Sequence, residues 1–380
     1  MAGAVRVRQG FGGGGPSLPH HGGRPGRTAG RGQALAGRTT GPWAEISVAA
    51  PRLAEVMPPI DVPLSLLDRS RTRAGEPDPL ALLSTIERAR LVEELGYHRL
   101  WVAEHHAVPG IASGSPAVLA AAVAARTSRI RVGSGGVMLP NHAPLVVAEQ
   151  FAVLESLHPG RVDLGLGRSL GFSAPVRDAL RATDADPARF LEDVDAVRAF
   201  LAGRGPVTAT PRVASPPPIF LLAGGRGLTM AARAGLPVAV GGPVLESSGP
   251  LDRYRREIRA AGGEPYVIAS VTVMVADTED LARDLLLPEA WAMAASRTTG
   301  AFPPLEDVES VRGRTLTPKQ RATVEQFLAG SVYGTPAQVA ERLAELVRRT
   351  GADEVMATTS TFERAAQTRA DAALAALFSS

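Results

Sequence analysis

The sequence predicts a (β/α)8 barrel of the TIM type, an α/β fold in a single domain. Three observations predict it. Eight short apolar runs alternate with helical patterns along the chain. The runs are apolar without polar alternation, as strands covered on both faces by helices must be. Several end abruptly in glycine, arginine or imidazole, where parallel α/β folds carry their chemistry. The rival, an open doubly wound sheet, carries its glycine fingerprint after the first strand. Here the glycines follow the third and fifth runs, which favours the barrel.

The first strand is expected at 62–67, and a helix at 79–95 with Gly96 near its C-terminus. The second strand, 100–103, precedes a helix of small residues at 116–126. The third, 130–135, precedes a helix at 144–157 closed by Pro159-Gly160. The fourth, 162–166, is followed by a helix at 187–201, and the fifth, 219–223, by one at 228–234. The sixth is 237–240, with a helix at 250–261, and the seventh 267–275. A long excursion then precedes the helix 336–349. The eighth strand is 354–359 and the last helix 362–378. The excursion, residues 287–330, is too long for an idle connection. It reads as a lid over the site or as a disordered insertion, because 297–314 lacks periodicity.

Residues 1–56 are rich in Gly, Arg and Pro and contain the run Gly12 to Gly15. Such composition buries too little apolar surface to fold, so a disordered tail is expected, with Met57 as the true start and the barrel at 57–380. No apolar h-region of a signal peptide is present. The Gly/Pro content argues against an organellar transit helix, and the scarcity of aromatics against an RNA-binding tail. Before Met57 seven arginines face two glutamates, so the tail carries +5, more than the whole chain's formal +3, and the remainder is slightly acidic at −2. That distribution gives no footprint for nucleic acid. No apolar run approaches the roughly 20 residues of a membrane helix. The chain has no cysteine, which excludes thiolate chemistry and zinc–sulfur sites and fits a cytoplasmic protein.

Four strand ends carry the candidate site. The second runs into Glu104, His105 and His106. The third ends in Ser134, Gly135 and Gly136, whose bare backbone leaves room for something large. The fourth ends in Gly167 and Arg168. The fifth runs into Gly224, Gly225, Arg226 and Gly227 at a helix start, where free N–H groups form an anion site. Together they describe a pocket for a large, flat, anionic cofactor. A metal is not expected, because adjacent residues on a strand face opposite ways and cannot converge on one ion.

Ordered along the chain, Trp101-Val102-Ala103-Glu104-His105-His106, Val132-Gly133-Ser134-Gly135-Gly136-Val137-Met138-Leu139-Pro140, Ala148-Glu149-Gln150, Gly160-Arg161-Val162-Asp163-Leu164-Gly165-Leu166-Gly167-Arg168 and Tyr333-Gly334-Thr335-Pro336 resemble the bacterial-luciferase-like flavin-dependent oxidoreductases. The resemblance implies a TIM-like barrel and a reduced FMN, or in some branches a deazaflavin. It implies a monooxygenase that forms a flavin hydroperoxide with dioxygen. The alternatives are a deazaflavin-dependent dehydrogenase or reductase, and a non-catalytic flavin-binding barrel. Reduced flavin would come from a separate reductase or from NAD(P)H, the substrate would be a small molecule, and a homodimer is implied.

In this resemblance His105 is the acid/base beside the reacting ring edge, with a pKa near neutrality. Glu104 orients His105 or braces the barrel, and His106 lies behind. Ser134, Gly135 and Gly136 pass under the isoalloxazine, and Gly135-Gly136 matches a position that carries a cis peptide in luciferase. Close packing inside the barrel is the alternative reason for these glycines. Asn141 and His142 meet the flavin edge or cap the next helix. Arg168 partners the phosphate or ribityl chain. Gly225 and Arg226 depart from the family's Gly-Ser-Ser-Gly-like string, and Gly241-Gly242-Pro243 from the aromatic and histidine residues expected after the sixth strand.

Overall fold

The computed structural model of the protein describes residues 59–171, 173–181 and 187–379. Leu64–Asp68 (β1) leads to Pro79–Glu94 (α1), Arg99–Val102 (β2) to Pro116–Ala124 (α2), and Arg131–Met138 (β3) to Pro144–Leu157 (α3). Val162–Gly167 (β4) is followed by Ala174–Ala179 (α4) and Pro187–Leu201 (α5), Ile219–Ala223 (β5) by Gly225–Ala234 (α6), and Val238–Val240 (β6) by Gly249–Ala260 (α7). Val267–Val271 (β7) and Val273–Val275 (β8) precede Glu279–Thr299 (α8), Val308–Arg312 (α9) and Pro318–Ala329 (α10). Val332–Gly334 (β9), Pro336–Thr350 (α11), Glu354–Ala357 (β10) and Arg364–Ala375 (α12) complete the order.

β1 to β7 follow one another around a closed barrel, and β10 completes it between β7 and β1. Every neighbouring pair is parallel, so the predicted (β/α)8 architecture is the one observed. Local signals place the helices. α1, α2 and α3 each begin with proline, whose missing N–H has no helical partner at that position. α6 and α11 stop at Gly235 and Gly351, which take the left-handed conformation that glycine tolerates.

Inside the barrel Trp101, Phe220, Ala239, Ile268 and Met356 pack together, while the outward faces of the strands bury against the helices. The end formed by the strand N-termini is closed by charge. Arg99 donates to both oxygens of Glu354 at 2.8 and 2.9 Å and to Asp163 Oδ2 at 2.7 Å, and the Trp101 indole N–H donates to the same Asp163 oxygen. Removing one partner from such a buried set costs about 3–5 kcal/mol. The chemistry is therefore left to the opposite rim.

Two expectations need correction. The seventh apolar run is not one strand. The chain leaves the barrel at Thr272, and β8 pairs instead with β9 in a separate two-stranded parallel sheet. The excursion after it is ordered. α8, α10 and β8 share an apolar cluster of Met274, Leu286, Ala290, Val324 and Leu328. Thr278 starts α8, its hydroxyl oxygen accepting the Leu281 amide at 3.1 Å, and Gly300 ends it. The expected tail and its start at Met57 lie outside the described residues. Among the described residues no helix is long and apolar enough to cross a membrane.

Candidate active site

The carboxyl ends of β2, β3 and β4 meet at one cleft of about 320 Å³. Glu104, His105 and His106 enter it from the loop after β2, Gly135 and Gly136 from β3, and Arg168 from just beyond β4. A second cleft of about 490 Å³ runs from Arg168 to Gly224, Gly225, Arg226 and Gly227 at the start of α6. The imidazoles, the glycine pair and the arginine thus border one space, and the arginine links it to a helix N-terminus.

Glu104 is buried and fully engaged. Its Oε1 lies 2.6 Å from His106 Nε2 and 2.7 Å from His142 Nε2, and its Oε2 accepts the Met138 amide at 2.8 Å. Burial alone would raise its pKa, but the hydrogen bonds from His106, His142 and Met138 win and hold it at about 2. Glu104 therefore orients His106 and His142, and not His105 as expected from the order of residues. Glu104 and His106, two positions apart, meet at this carboxylate, while His105 between them packs its ring edge-on against Phe302. Ligand atoms of Glu104, His106 and His142 all lie within 4.8 Å of one another. The two imidazole–carboxylate contacts have hydrogen-bond lengths, whereas ligands sharing a zinc ion at about 2.0–2.1 Å stand roughly 3.3 Å apart.

His105 has a different environment. Its ring meets Phe302 edge-on, with centroids 6.4 Å apart at 88°. Its pKa is pushed down to about 4, first by burial and then by Arg69 and Arg71, against which Glu104 gives only partial relief. The expected near-neutral pKa is corrected accordingly, and the imidazole is neutral at physiological pH. Both arginines come from the β1–α1 loop and are held by Glu289 of α8, each at 2.9 Å. The insertion thus reaches the site through Glu289 and Phe302, neither of which the sequence pattern singled out.

The remaining candidates divide. Ser134 is wholly buried, its hydroxyl donating to the Gly165 carbonyl at 2.8 Å, so it braces β3 against β4 instead of facing the cleft. Gly135 and Gly136 border the cleft, and the peptide between them is cis. Their smallness is also demanded by the barrel. A Cβ on Gly135 would lie 2.5 Å from Leu67 Cδ1, and one on Gly136 2.8 Å from the Gly165 carbonyl oxygen. Asn141 is not among the residues that border the cleft, yet its Oδ1 and Nδ2 are both buried without a hydrogen-bond partner. Gly227 packs against Ala223, its Cβ position 3.1 Å from that methyl. Gly224 and Gly225 have nothing within 4 Å of theirs, so the chain's own packing does not require glycine there.

These features fit an elongated anionic cofactor. The two clefts fall within the volumes typical of small-molecule sites. The start of α6 has no side-chain cap, which leaves its first amides open beside Arg168, and the bare backbone of Gly224 and Gly225 keeps that space clear.

Fold and rim together place the candidate site at the C-terminal ends of the barrel strands. Residues 63–354 match the family model described as luciferase-like monooxygenase. An Escherichia coli protein named luciferase-like monooxygenase is 34% identical over 318 residues, covering 80% of this chain and 94% of the relative. The Bacillus subtilis protein YvbT is 36% identical over 321 residues, covering 81% and 94%. The crystal structure of apo-MsnO8 superposes with a TM-score of 0.74 at 31% identity, covering 83% of this chain and 98% of that one. The chain belongs to the luciferase-like monooxygenase family, whose members are oxygen-using flavin oxidoreductases.

Proposed function

We propose that this protein is a monooxygenase that uses reduced FMN and dioxygen to oxygenate a small organic molecule. The observation that carries the reading is the shared cleft of His105, Gly135, Gly136 and Arg168, continuous through Arg168 with the open start of α6. When bound, the reduced flavin supplies the electrons that activate dioxygen. The protein's part is binding, orientation and proton handling.

Arg168 and the amides of Gly225 and Arg226 bind the phosphate, the arginine as a permanent cation and the helix start as a set of N–H donors. Gly135 and Gly136 give the ring a flat wall. His105, neutral before ligand binding, offers one donor and one acceptor nitrogen to the reacting edge. An anion placed in the cleft offsets Arg69 and Arg71 and raises the proton affinity of His105, so the histidine gains a proton where negative charge is held. Glu104 keeps His106 and His142 fixed behind it. The altered sixth-strand end, Gly241-Gly242-Pro243, leaves the substrate side without aromatic bulk. Reducing equivalents come from a separate flavin reductase or from NAD(P)H.

Anaerobic titration of the purified protein with FMN and with a deazaflavin, each oxidised and reduced, tests the reading. Reduced FMN is expected to bind more tightly than the deazaflavin, and the loaded protein to consume oxygen with turnover of a small thioether or ketone panel. Preferential binding of the deazaflavin would move the protein to the dehydrogenase reading, and flavin retention without turnover to a flavin-holding barrel.

A further inference from the structure

Beyond the start of α6 lies a third cleft, of about 670 Å³, which shares Arg168, Arg226 and Met230 with the phosphate cleft and continues outward to Arg177 and Arg233. Four guanidinium groups border this one space, and among the described residues no carboxylate does. Arg226 and Arg233 are seven residues apart on α6 and so share one face of the helix, with Thr229 and Met230 between them. Arg177 approaches from α4. None of the four forms an ion pair with a described residue. Arg168 reaches only the Met230 sulfur at 3.7 Å, and Arg177 only the Gly171 carbonyl at 3.4 Å, both long contacts.

This concentration is at odds with the rest of the chain, which is slightly acidic beyond residue 56 and pairs many of its arginines with carboxylates. Arg226 is also placed against the helix field. It lies in the first turn of α6, where the macrodipole already presents positive charge and no acidic residue compensates. Arg168 and Arg226 meet at the start of α6, Arg177 comes from α4 and Arg233 from the last turn of α6, so four like charges border one space, and a multiply charged anion relieves their repulsion. One phosphate accounts for Arg168, Arg226 and the open amides. Among the described residues it leaves Arg177 and Arg233 without a counter-charge.

We propose that Arg177 and Arg233 form a second anion subsite, next to the flavin phosphate, that takes the second phosphate of a pyrophosphate-bearing nucleotide. The inference rests on the flavin reading for its neighbouring phosphate. The shared ligand chemistry is a diphosphate linked to a nucleoside, for which Met230 offers an apolar surface. It has two sources: an adenylate extension of the flavin itself, or a pyridine dinucleotide that donates hydride to the bound flavin. In the second case the hydride and its electron pair pass from the nicotinamide to the flavin ring, and the nicotinamide leaves oxidised.

The test compares wild type, R177A/R233A and R168A by equilibrium binding of pyrophosphate, FMN and FAD, and of NADPH to the FMN-loaded protein. The double variant is expected to lose roughly tenfold in pyrophosphate affinity while FMN affinity stays within about threefold. An equal loss confined to FAD assigns the subsite to the flavin's own extension, and one confined to NADPH assigns it to a separate hydride donor. R168A should weaken FMN and pyrophosphate together. The proposal is overturned if the double variant keeps wild-type affinity for pyrophosphate, FAD and NADPH, or if FMN falls as much as the diphosphate ligands do. If wild type binds no FMN yet loses pyrophosphate binding on R177A/R233A, the anion subsite stands and the flavin reading falls. Unchanged thermal melting of the variants excludes unfolding as the cause, since Arg233 is exposed and Arg177 lies on a short surface helix.

Discussion

Replacing Glu104 by glutamine removes one charge and keeps the shape, and the structure sets the size of the effect. In the folded protein the carboxyl titrates at about 2, against an ordinary value near 4.5. A shift of that size corresponds to about 3 kcal/mol favouring the ionised, folded form. Because the folded pKa is the lower one, this stability is fully present above about pH 5 and is lost as pH falls from about 4.5 towards 2. Urea unfolding of both proteins from about pH 7 to pH 3 measures the gap. It should be about 3 kcal/mol at neutral pH, hold to about pH 5, and narrow below that. A gap under about 1 kcal/mol at neutral pH, or one that does not change down to pH 3, would show that the charge of Glu104 is not what secures the rim.

Other perturbations separate binding, chemistry and packing. H105N should lower turnover by about 10²–10⁴-fold while FMN affinity, followed by fluorescence quenching, moves only several-fold. R168A should weaken FMN by more than roughly tenfold and leave riboflavin, which has no phosphate, nearly unaffected. G136A puts a methyl 2.8 Å from the Gly165 carbonyl oxygen and 2.9 Å from Leu222 Cδ1, so a loss of about 1–3 kcal/mol in urea is expected. E289Q leaves Arg69 and Arg71 without their buried partner. A cost of about 3–5 kcal/mol follows, visible as faster proteolysis of α8 to α10 than of the barrel.

The barrel was legible because each strand is short and mainly apolar, and because helix starts and stops carry proline and glycine. β8 was not. The run from Val267 to Val275 is interrupted only by Ser270 and Thr272, single hydroxyl residues common within strands, so Thr272 does not stand out as the point where pairing passes from β10 to β9. α8 was missed for two physical reasons. Pro288 interrupts it, and its buried residues, among them Leu285, Leu286, Leu287, Glu289, Ala290 and Ala292, surround the helix so fully that no amphipathic period survives. Its cap, Thr278 before Glu279 and Asp280, was the readable signal. At the site, Glu-His-His named the right rim but not the right pairing. His142 joins Glu104 from 38 positions away, and the pKa of His105 is depressed first by burial and then by arginines on another loop. Such facts belong to the closed barrel and have no local trace.

Glu289 and its two arginines give the family's shared scaffold a tuning element outside the conserved-looking strings. A helix that eight-strand closure does not require anchors two cations that add to burial in holding the pKa of His105 down. Exchange of that one carboxylate, or of the segment that carries it, would reset the reactivity of the imidazole while every barrel strand stayed as it is. Divergence in chemistry could then proceed through an appendage, leaving the folding core untouched.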